Sequence, residues 1–399
     1  MIKKKIIQLL TFVCPIAMTK RFVHQVQAKG EDMNIGILSM QRIPNYGSFL
    51  QALSLKKQLE RLSGGDVYFI DIEEGKHLVP AVESSMAHGG FLRKFDRYFF
   101  KRIENYLFSR KMKFIHTQDQ IRYLEIEKKL EVGKKFDLVI IGSDEVFNAG
   151  IPSAWGFSTQ LFGNIKNAKR IVTYAASCGQ TTKDITDKYG MTNDIAIAME
   201  QLKNISVRDK GTFKFVQDIT GRTPEIHLDP VFLTDFDEYI PKLPKRKPYL
   251  LVYAYGNRIN DEAEIRSIEN YAKNKGLEIL SVGMQQRWCK NNITANGFEL
   301  LSYVKGATCI VTDTFHGTVF SIKYNKPFAV FIRESNKNKI SGLLSHFGLM
   351  ERAVQDCKEL HNILQTEIDS ERINNIIEYE QKRSEIYLRN VIINSMEVL

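Results

Sequence analysis

A histidine followed by a glycine stands in the segment TDTFHGTVF, where a buried strand is predicted to pass into a helix. His316 would then lie in the first turn of that helix, where free N–H groups and the helix dipole favour an anion. An imidazole in this position can donate to a phosphate or carboxylate and can transfer a proton. We therefore predict His316 as a catalytic residue, with Thr314, Gly317 and Thr318 as substrate contacts. The alternative is a histidine that packs against the neighbouring strand.

Arg208 closes a short apolar strand in the segment SVRDK. A guanidinium at the end of a strand can hold a carboxylate or a phosphate through two parallel hydrogen bonds. Arg208 is therefore a predicted substrate-binding residue. The alternative is a surface salt bridge with a nearby acidic residue.

Two further segments place polar residues directly after predicted strands. In GSDEVF, Ser143 forms part of a tight strand exit, and Asp144 could act as a second acid–base group or accept a hydrogen bond from a bound hydroxyl. Alternatively, Asp144 only caps a following helix. In NYGS, Asn45 and Gly47 form a turn between the first strand and the first helix and could bind a ligand. The chain has no GxGxxG, Walker A, HExxH or GxSxG motif.

The elements that carry these residues alternate between strands and helices from Met33 onward, which predicts an α/β fold with parallel sheets covered on both faces. Ligands of such sheets bind beyond the carboxyl ends of the strands, where the candidate residues stand. Three prolines and four basic residues at 241–248 predict a linker. It separates an N-terminal domain, residues 33–240, from a C-terminal domain, residues 249–357. Amphipathic helices are predicted at 358–399.

The net charge of the 399-residue chain is +10, which favours anionic partners. A helical insertion is predicted at about 76–135, and its residues 89–115 hold eight Lys/Arg against two acids among many aromatic residues. Such a segment can pack its aromatic residues inward and leave its cations in water. It can also bind a phosphorylated acceptor or an anionic membrane face. Nucleic acid is not predicted, because no zinc-finger, RRM or clear helix-turn-helix pattern occurs.

The five cysteines are widely spaced and form no CxxC pair, which favours a reducing, cytoplasmic compartment and predicts no metal site. Residues 1–32 complicate this prediction, because a basic start and an apolar run at 6–18 resemble a signal peptide. Two other interpretations are an over-long reading frame whose true start is Met33 and an extension that touches a membrane. The run is too short to span a bilayer.

Six segments occur in a fixed order: NYGSFLQA, FDLVIIGSDEVF, YAASCG, SVRDK, HLDPVFL and TDTFHGTVFSIKYNKPF. Together they resemble the polysaccharide pyruvyl transferase family over roughly residues 33–332. The resemblance implies two Rossmann-like domains that face each other across a cleft, as in GT-B glycosyltransferases. The chain departs from the family at Glu145 and Phe147, where a Gln and a Trp more usually follow GSD.

The resemblance also implies a reaction. The pyruvyl unit of phosphoenolpyruvate moves onto two hydroxyls of a sugar in a surface polysaccharide, such as a capsule or exopolysaccharide, or in its precursor. A ketal forms and phosphate is released. Phosphoenolpyruvate is then a co-substrate handled by Arg208 and His316, and no cofactor is expected.

The expected partner is a saccharide acceptor, free or lipid-linked, and the expected location is cytoplasmic, with or without peripheral attachment to the inner membrane face. The oligomeric state stays open. Two alternatives remain: a GT-B glycosyltransferase that uses a nucleotide sugar, and a non-catalytic saccharide-binding protein of the same fold.

Overall fold

The computed structural model describes residues 33–80, 95–127, 133–256 and 258–396. The predicted extension at 1–32 lies outside these residues, as do parts of the predicted insertion. The N-terminal domain contains a five-stranded parallel sheet in the order β2-β1-β3-β4-β5 and a small parallel pair, β6-β7. Its strands are β1 (Asn34–Leu38), β2 (Asp66–Ile70), β3 (Phe136–Ile141), β4 (Ala168–Thr173), β5 (Leu202–Asn204), β6 (Ser206–Val207) and β7 (Glu225–Ile226). Its helices are α1 (Tyr46–Ser63), α2 (Phe95–Asp119), α3 (Lys183–Lys188), α4 (Thr192–Glu200) and α5 (Lys210–Thr220).

The C-terminal domain contains a second five-stranded parallel sheet, in the order β10-β9-β8-β11-β12. Its strands are β8 (Tyr249–Tyr253), β9 (Glu278–Val282), β10 (Asn291–Ile293), β11 (Cys309–Thr312) and β12 (Phe328–Val330). The helices that follow β8 are α6 (Glu262–Lys275), α7 (Gly297–Gly306), α8 (Phe315–Lys323), α9 (Lys337–Phe347), α10 (Leu360–Gln365) and α11 (Ser370–Met396). Residues 241–248 have no regular structure and connect the two domains.

Both strand orders belong to doubly wound α/β sheets, in which the direction of winding reverses beside the first strand. The first order is 2-1-3-4-5, and the second, counted from β8, is 3-2-1-4-5. Loops that follow the strands of both sheets line one shared cavity. The prediction of an α/β fold with two Rossmann-like domains facing across a cleft is therefore confirmed.

Helix α1 shows how local sequence fixes an element at the domain boundary. The side chain of Asn45 caps it by accepting the N–H of Gly47 at 2.7 Å, and Gly64 ends it in the left-handed conformation, with φ of 74°. Its buried Phe49 and Leu50 belong to the same apolar core as the C-terminal sheet. Because α1 packs against both domains, its first turn lies at the cleft between them.

Helix α11 begins on the C-terminal domain and ends on the N-terminal one. Near its start, Ile373 belongs to the core of the C-terminal domain, and Arg372 donates to the carbonyl of Phe347 at 2.7 Å. Near its end, Leu388 and Ile392 pack against the N-terminal sheet. One continuous helix is thus fastened to both domains.

The predicted insertion contains one long helix, α2, followed by a π-helical turn, Gln120–Leu124. Asp119, at the end of α2, accepts the N–H of Gly297 at the start of α7 with a distance of 2.8 Å. The insertion therefore reaches across to the C-terminal domain. Among the described residues, no helix combines the length and apolarity that crossing a bilayer requires.

Candidate active site

A cavity of about 530 Å³ opens between the two domains, and both contribute charged side chains to it. The titratable side chains on its wall are Asp144, Glu145 and Arg208 from the N-terminal domain and Arg258, His316 and Lys339 from the C-terminal domain. Among these groups, cationic and anionic side chains are both present. The cavity is thus suited to a ligand with negative charges and hydroxyl groups together.

His316 lies in the first turn of α8, as the sequence predicts. Thr314 caps this helix, and its hydroxyl accepts the N–H of Gly317 at 2.9 Å. The imidazole packs on the Cα of Gly47 in the other domain, because a Cβ built on that glycine would lie 2.0 Å from Nδ1. The surface beneath His316 is therefore helix α1 of the opposite domain.

Arg208 follows β6 and reaches the same point from the N-terminal domain. Its Nη1 donates to Oδ2 of Asp229 at 2.9 Å, and its guanidinium lies 4.2 Å from the ring centroid of Phe315. Arg208 thus forms the salt bridge with a nearby acid that was the alternative, but only 3% of its side chain is exposed, so the pair is buried and not on the surface. A buried guanidinium stacked on an aromatic ring is held rigidly, which suits it to orient an anion.

Asp229 joins the two predicted residues. Its Oδ2 accepts from Arg208 and lies 3.5 Å from Nε2 of His316, and its Oδ1 accepts the N–H of Val231 at 3.0 Å. Burial alone would raise the pKa of this carboxyl group, but His316 and Arg208 outweigh burial and lower the pKa to about 2. Our sequence analysis did not select Asp229, although its position before a proline at a predicted strand end was the available signal.

Asp144 does not cap a helix, so the alternative role considered for it is wrong. Its φ is 77°, in the left-handed region, and it forms a parallel bridge with Ala176. This conformation turns the chain into an irregular segment in place of a helix. Its Oδ2 accepts from the hydroxyl of Ser48 at 2.6 Å, and its Oδ1 lies 4.0 Å from Nη2 of Arg208. The carboxylate is thereby fixed on the cavity wall beside the guanidinium.

Two cations on the C-terminal side of the cavity were missed by sequence reasoning. Lys339, near the start of α9, pairs with Glu145 of the other domain. Burial raises the pKa of Glu145, but Lys339 and the hydrogen bond from Asn148 lower it by more. The pKa of Glu145 therefore lies below its ordinary value. The acid that departs from the family pattern is therefore neutralised by a partner across the cleft.

Arg258, which follows β8, is the more accessible of these two cations. Its side chain is 37% exposed, and its Nη1 lies 4.0 Å from Oδ2 of the buried Asp313. That distance is too long for a hydrogen bond, and Oδ2 of Asp313 has no hydrogen-bond partner among the described residues. Arg258 thus has donors left to offer to a ligand. The rule that selected Arg208, a cation after a strand, would also have selected it.

Of the other residues predicted to contact the substrate, some line the cavity and others lie behind its wall. Asn45 lines the cavity, and its Nδ2 donates to the hydroxyl of Tyr255 across the cleft at 3.3 Å. Ser143 is buried behind the wall, where its hydroxyl donates to Asp229 at 3.3 Å. The cavity wall does not include Thr314, Gly317 or Thr318. They lie under His316: the hydroxyl of Thr318 donates to the carbonyl of Thr314, and a Cβ on Gly317 would collide with Thr312.

Metal ions need a convergent set of ligands. Across residues 33–80, 95–127, 133–256 and 258–396, no three His, Cys, Asp or Glu side chains are grouped to hold one.

Comparisons with known proteins place this architecture in context. Solved structures that are similar to the chain include the glycotransferase of kitacinnamycin, with 10% identity, a TM-score of 0.44, and coverage of 91% of this chain and 99% of that one. UDP-GlcNAc 2-epimerase from Neisseria meningitidis, bound to UDP-GlcNAc, also has 10% identity and a TM-score of 0.44, with coverage of 92% and 100%. A search of curated protein sequences found no match.

A family model gives the decisive comparison. The model described as polysaccharide pyruvyl transferase matches residues 45–335, a range that begins at the cap of α1 and includes Asp144, Arg208, Asp229 and His316. This range covers most of the chain. The chain therefore belongs to the polysaccharide pyruvyl transferase family.

Proposed function

We propose that this protein transfers the pyruvyl unit of phosphoenolpyruvate to a sugar of a surface polysaccharide, or of its precursor, as a ketal. The observation that carries the proposal is the convergence of Arg208 and His316, from different domains, on the buried Asp229 and on the wall of one cavity. Family membership supports the reaction class. The acceptor is a saccharide, free or lipid-linked, and the proposed location is cytoplasmic.

The donor carries a carboxylate and a phosphate, so its site needs several N–H donors. Arg208 offers a rigid guanidinium, and Arg258 offers a second one, which lies 4.0 Å from Asp313 and forms no hydrogen bond to a carboxylate of the described residues. Lys339 adds a third cation that faces the N-terminal domain across the cleft. We assign these three side chains to the anionic groups of the donor.

The transfer forms two C–O bonds and breaks one. The methylene carbon of phosphoenolpyruvate gains a proton and becomes a methyl group, and one sugar hydroxyl attacks the neighbouring carbon. The bond from that carbon to the phosphate oxygen breaks, and a second hydroxyl closes the ketal. One hydroxyl proton thus ends on the methyl group, and the other leaves with the phosphate.

His316 is the proposed acid–base group for these proton transfers, because it is an imidazole on the cavity wall beside the guanidinium of Arg208. A positioned acid–base group contributes typically about 10²- to 10⁴-fold to a rate. Asp144 is the proposed hydrogen-bond partner or base for an acceptor hydroxyl, since its carboxylate is held on the same wall by Ser48. Asp229 acts through His316 and Arg208 and is a positioning residue.

A phosphate-release assay with phosphoenolpyruvate and a panel of free and lipid-linked oligosaccharides tests the proposal, with mass spectrometry of the product to identify the ketal. We expect phosphate release only when an acceptor is present. Arg258→Ala should raise KM for phosphoenolpyruvate, whereas Arg266→Ala, an exposed arginine on α6, should change nothing. Arg208→Lys retains the charge beside Asp229 and should lose activity while the protein stays folded.

Three results would overturn the proposal. One is full activity in each of three single variants, Arg208→Lys, Arg258→Ala and His316→Gln. Another is binding of UDP or GDP in calorimetric titration without any response to phosphoenolpyruvate, which would favour a glycosyltransferase. The third is saccharide binding without turnover of phosphoenolpyruvate for every acceptor, which would indicate a non-catalytic member of the fold.

A further inference from the structure

The outer face of helix α2 holds three large apolar side chains that are exposed to water. Tyr106, Leu107 and Phe114 are 64%, 56% and 64% exposed. With 3.6 residues per turn, these three residues and Arg110 lie within an arc of about 100° on one side of the helix. We propose that this face of α2 binds an anionic lipid bilayer, with the helix axis in the plane of the membrane surface.

The charges on the same face select this partner. Arg110 lies within the apolar strip, and Lys111 and Lys113 lie at its two edges, all three exposed. Within residues 104–119 of the helix, the carboxylates are Glu104 and Asp119, each six or more residues from these cations and therefore outside the spacing of helical ion pairs. Cations with apolar stems beside exposed aromatic side chains are the pattern of helices that lie in a lipid headgroup region. A second copy of the chain is a poorer partner, because a two-fold contact would bring the same cations together.

The opposite face of α2 is fixed to the body of the protein, so the exposed face has a defined direction. Met112 and His116 are buried, and the His116 ring contacts the Tyr46 ring edge-on at a centroid distance of 4.5 Å. At the end of the helix, Asp119 accepts the N–H of Gly297. These contacts hold α2 to both domains, while none of the described residues buries the strip of Tyr106, Leu107 and Phe114.

The helix also lies close to the candidate active site. A second cavity, of about 330 Å³, is enclosed between the inner face of α2 and the loops after β8 and β9. Its walls include Pro44 and Gly256, which are neighbours in the chain of Asn45 and Tyr255 on the wall of the main cavity. A protein bound to a membrane through α2 would thus hold its cleft next to the lipid surface. Membrane binding itself does not depend on the chemistry proposed for the cleft.

Co-sedimentation of the full chain with sucrose-loaded vesicles tests this inference. One vesicle preparation contains phosphatidylcholine alone, and the other contains phosphatidylcholine with phosphatidylglycerol. We expect binding to the anionic vesicles only, and release as salt is raised. The variant Tyr106→Ser/Leu107→Ser/Phe114→Ser should weaken binding about tenfold or more, because it removes the apolar strip. Replacing Arg110, Lys111 and Lys113 with Gln should weaken binding about fivefold for each cation at low salt.

A matched control comes from helix α11, where Tyr379 and Ile386 are 62% and 60% exposed. The variant Tyr379→Ser/Ile386→Ser should bind vesicles like the unaltered chain. The substituted side chains in all three variants are exposed, and circular dichroism checks that each one folds. Equal vesicle binding by the unaltered chain and both α2 variants would overturn the inference. So would a change of molar mass in the serine variant, measured by light scattering, without any loss of vesicle binding, since the occupant would then be a second copy.

Discussion

The two strand-to-helix junctions that open α1 and α8 are built alike and face each other across the cleft. Each begins with a polar cap, Asn45 or Thr314, whose side chain accepts an N–H of the first turn. Each continues with an aromatic residue that contacts the other domain. Tyr46 donates to the carbonyl of Ala295 at 2.6 Å, and Phe315 packs under the guanidinium of Arg208. Each junction therefore places an aromatic ring in contact with the other domain, and these two contacts help to hold the domains together.

The junctions differ at the second helical position, which is Gly47 in α1 and His316 in α8. The imidazole occupies the space that a side chain on Gly47 would need. One domain thus supplies the imidazole, and the other supplies the missing side chain that makes room for it. The comparison teaches that a glycine on a helix can be a functional residue because of what packs on it.

The largest effect is expected from removing the imidazole of His316, which distinguishes the α8 junction from the α1 junction. His316→Ala should lower kcat about 10³-fold in the phosphate-release assay, within the range for a lost acid–base group. His361→Ala, on α10 and remote from the cleft, is the matched histidine control. Equal loss in both variants would show that the effect is not specific to the junction.

The next effect concerns the carboxylate that links the junctions. Asp229→Asn should lower the free energy of unfolding by about 3 kcal/mol at pH 7, because the buried Arg208 loses its ionised partner. The folded-state pKa of Asp229, about 2, lies below its ordinary value of 3.8. Its contribution to stability is therefore complete above about pH 4 and is lost as the pH falls from 4 toward 2. The difference between the two proteins in urea unfolding should thus narrow on acidification, and a constant difference would contradict this assignment.

Gly47→Ala tests the room that the N-terminal junction leaves for the imidazole. The new methyl group would displace His316, and a displacement of about 1 Å can lower a rate about 10²-fold. In a protein that already carries His316→Ala, the same change should have little effect, because no imidazole remains to be displaced. If Gly47→Ala lowered kcat equally in the unaltered protein and in the His316→Ala variant, the proposed packing of the imidazole on Gly47 would be contradicted.

The smallest effect is expected from the aromatic residue of the α1 junction. Tyr46→Phe removes only the hydroxyl that donates to Ala295, and it should lower the free energy of unfolding by about 1 kcal/mol. Chemical denaturation measures this loss, and kcat should stay nearly unchanged. A large loss of kcat would mean that the relative position of the domains depends on this single hydrogen bond.

Sequence patterns predicted the parallel sheets and four residues of the cavity wall, because both follow from local rules. Polar groups after buried strands identified Asn45, Asp144, Arg208 and His316, since parallel strands bring their carboxyl ends together. The pair between Glu145 and Lys339 had no such signal, because it depends on how the two domains are placed.

Two differences between the sequence predictions and the structure have local physical causes. A helix was expected as one alternative after Asp144, and the left-handed conformation of that residue prevented it. Thr318, predicted as a substrate contact at the start of α8, turns its hydroxyl back to the carbonyl of Thr314. Periodicity places a residue on an element, and it does not give the direction of each side chain in the first helical turn.

Helix α11, which is fastened to both domains, limits how far the cleft between them can open. With 27 residues, α11 is about 40 Å long, and helices of this length curve gently unless a proline, a glycine or an inserted group kinks them. Its sequence contains neither proline nor glycine. We therefore expect only small rotations of the two domains relative to each other, with the opening of the cavity nearly unchanged. A ligand would then enter a preformed cavity, in contrast to proteins whose domains close around what they bind.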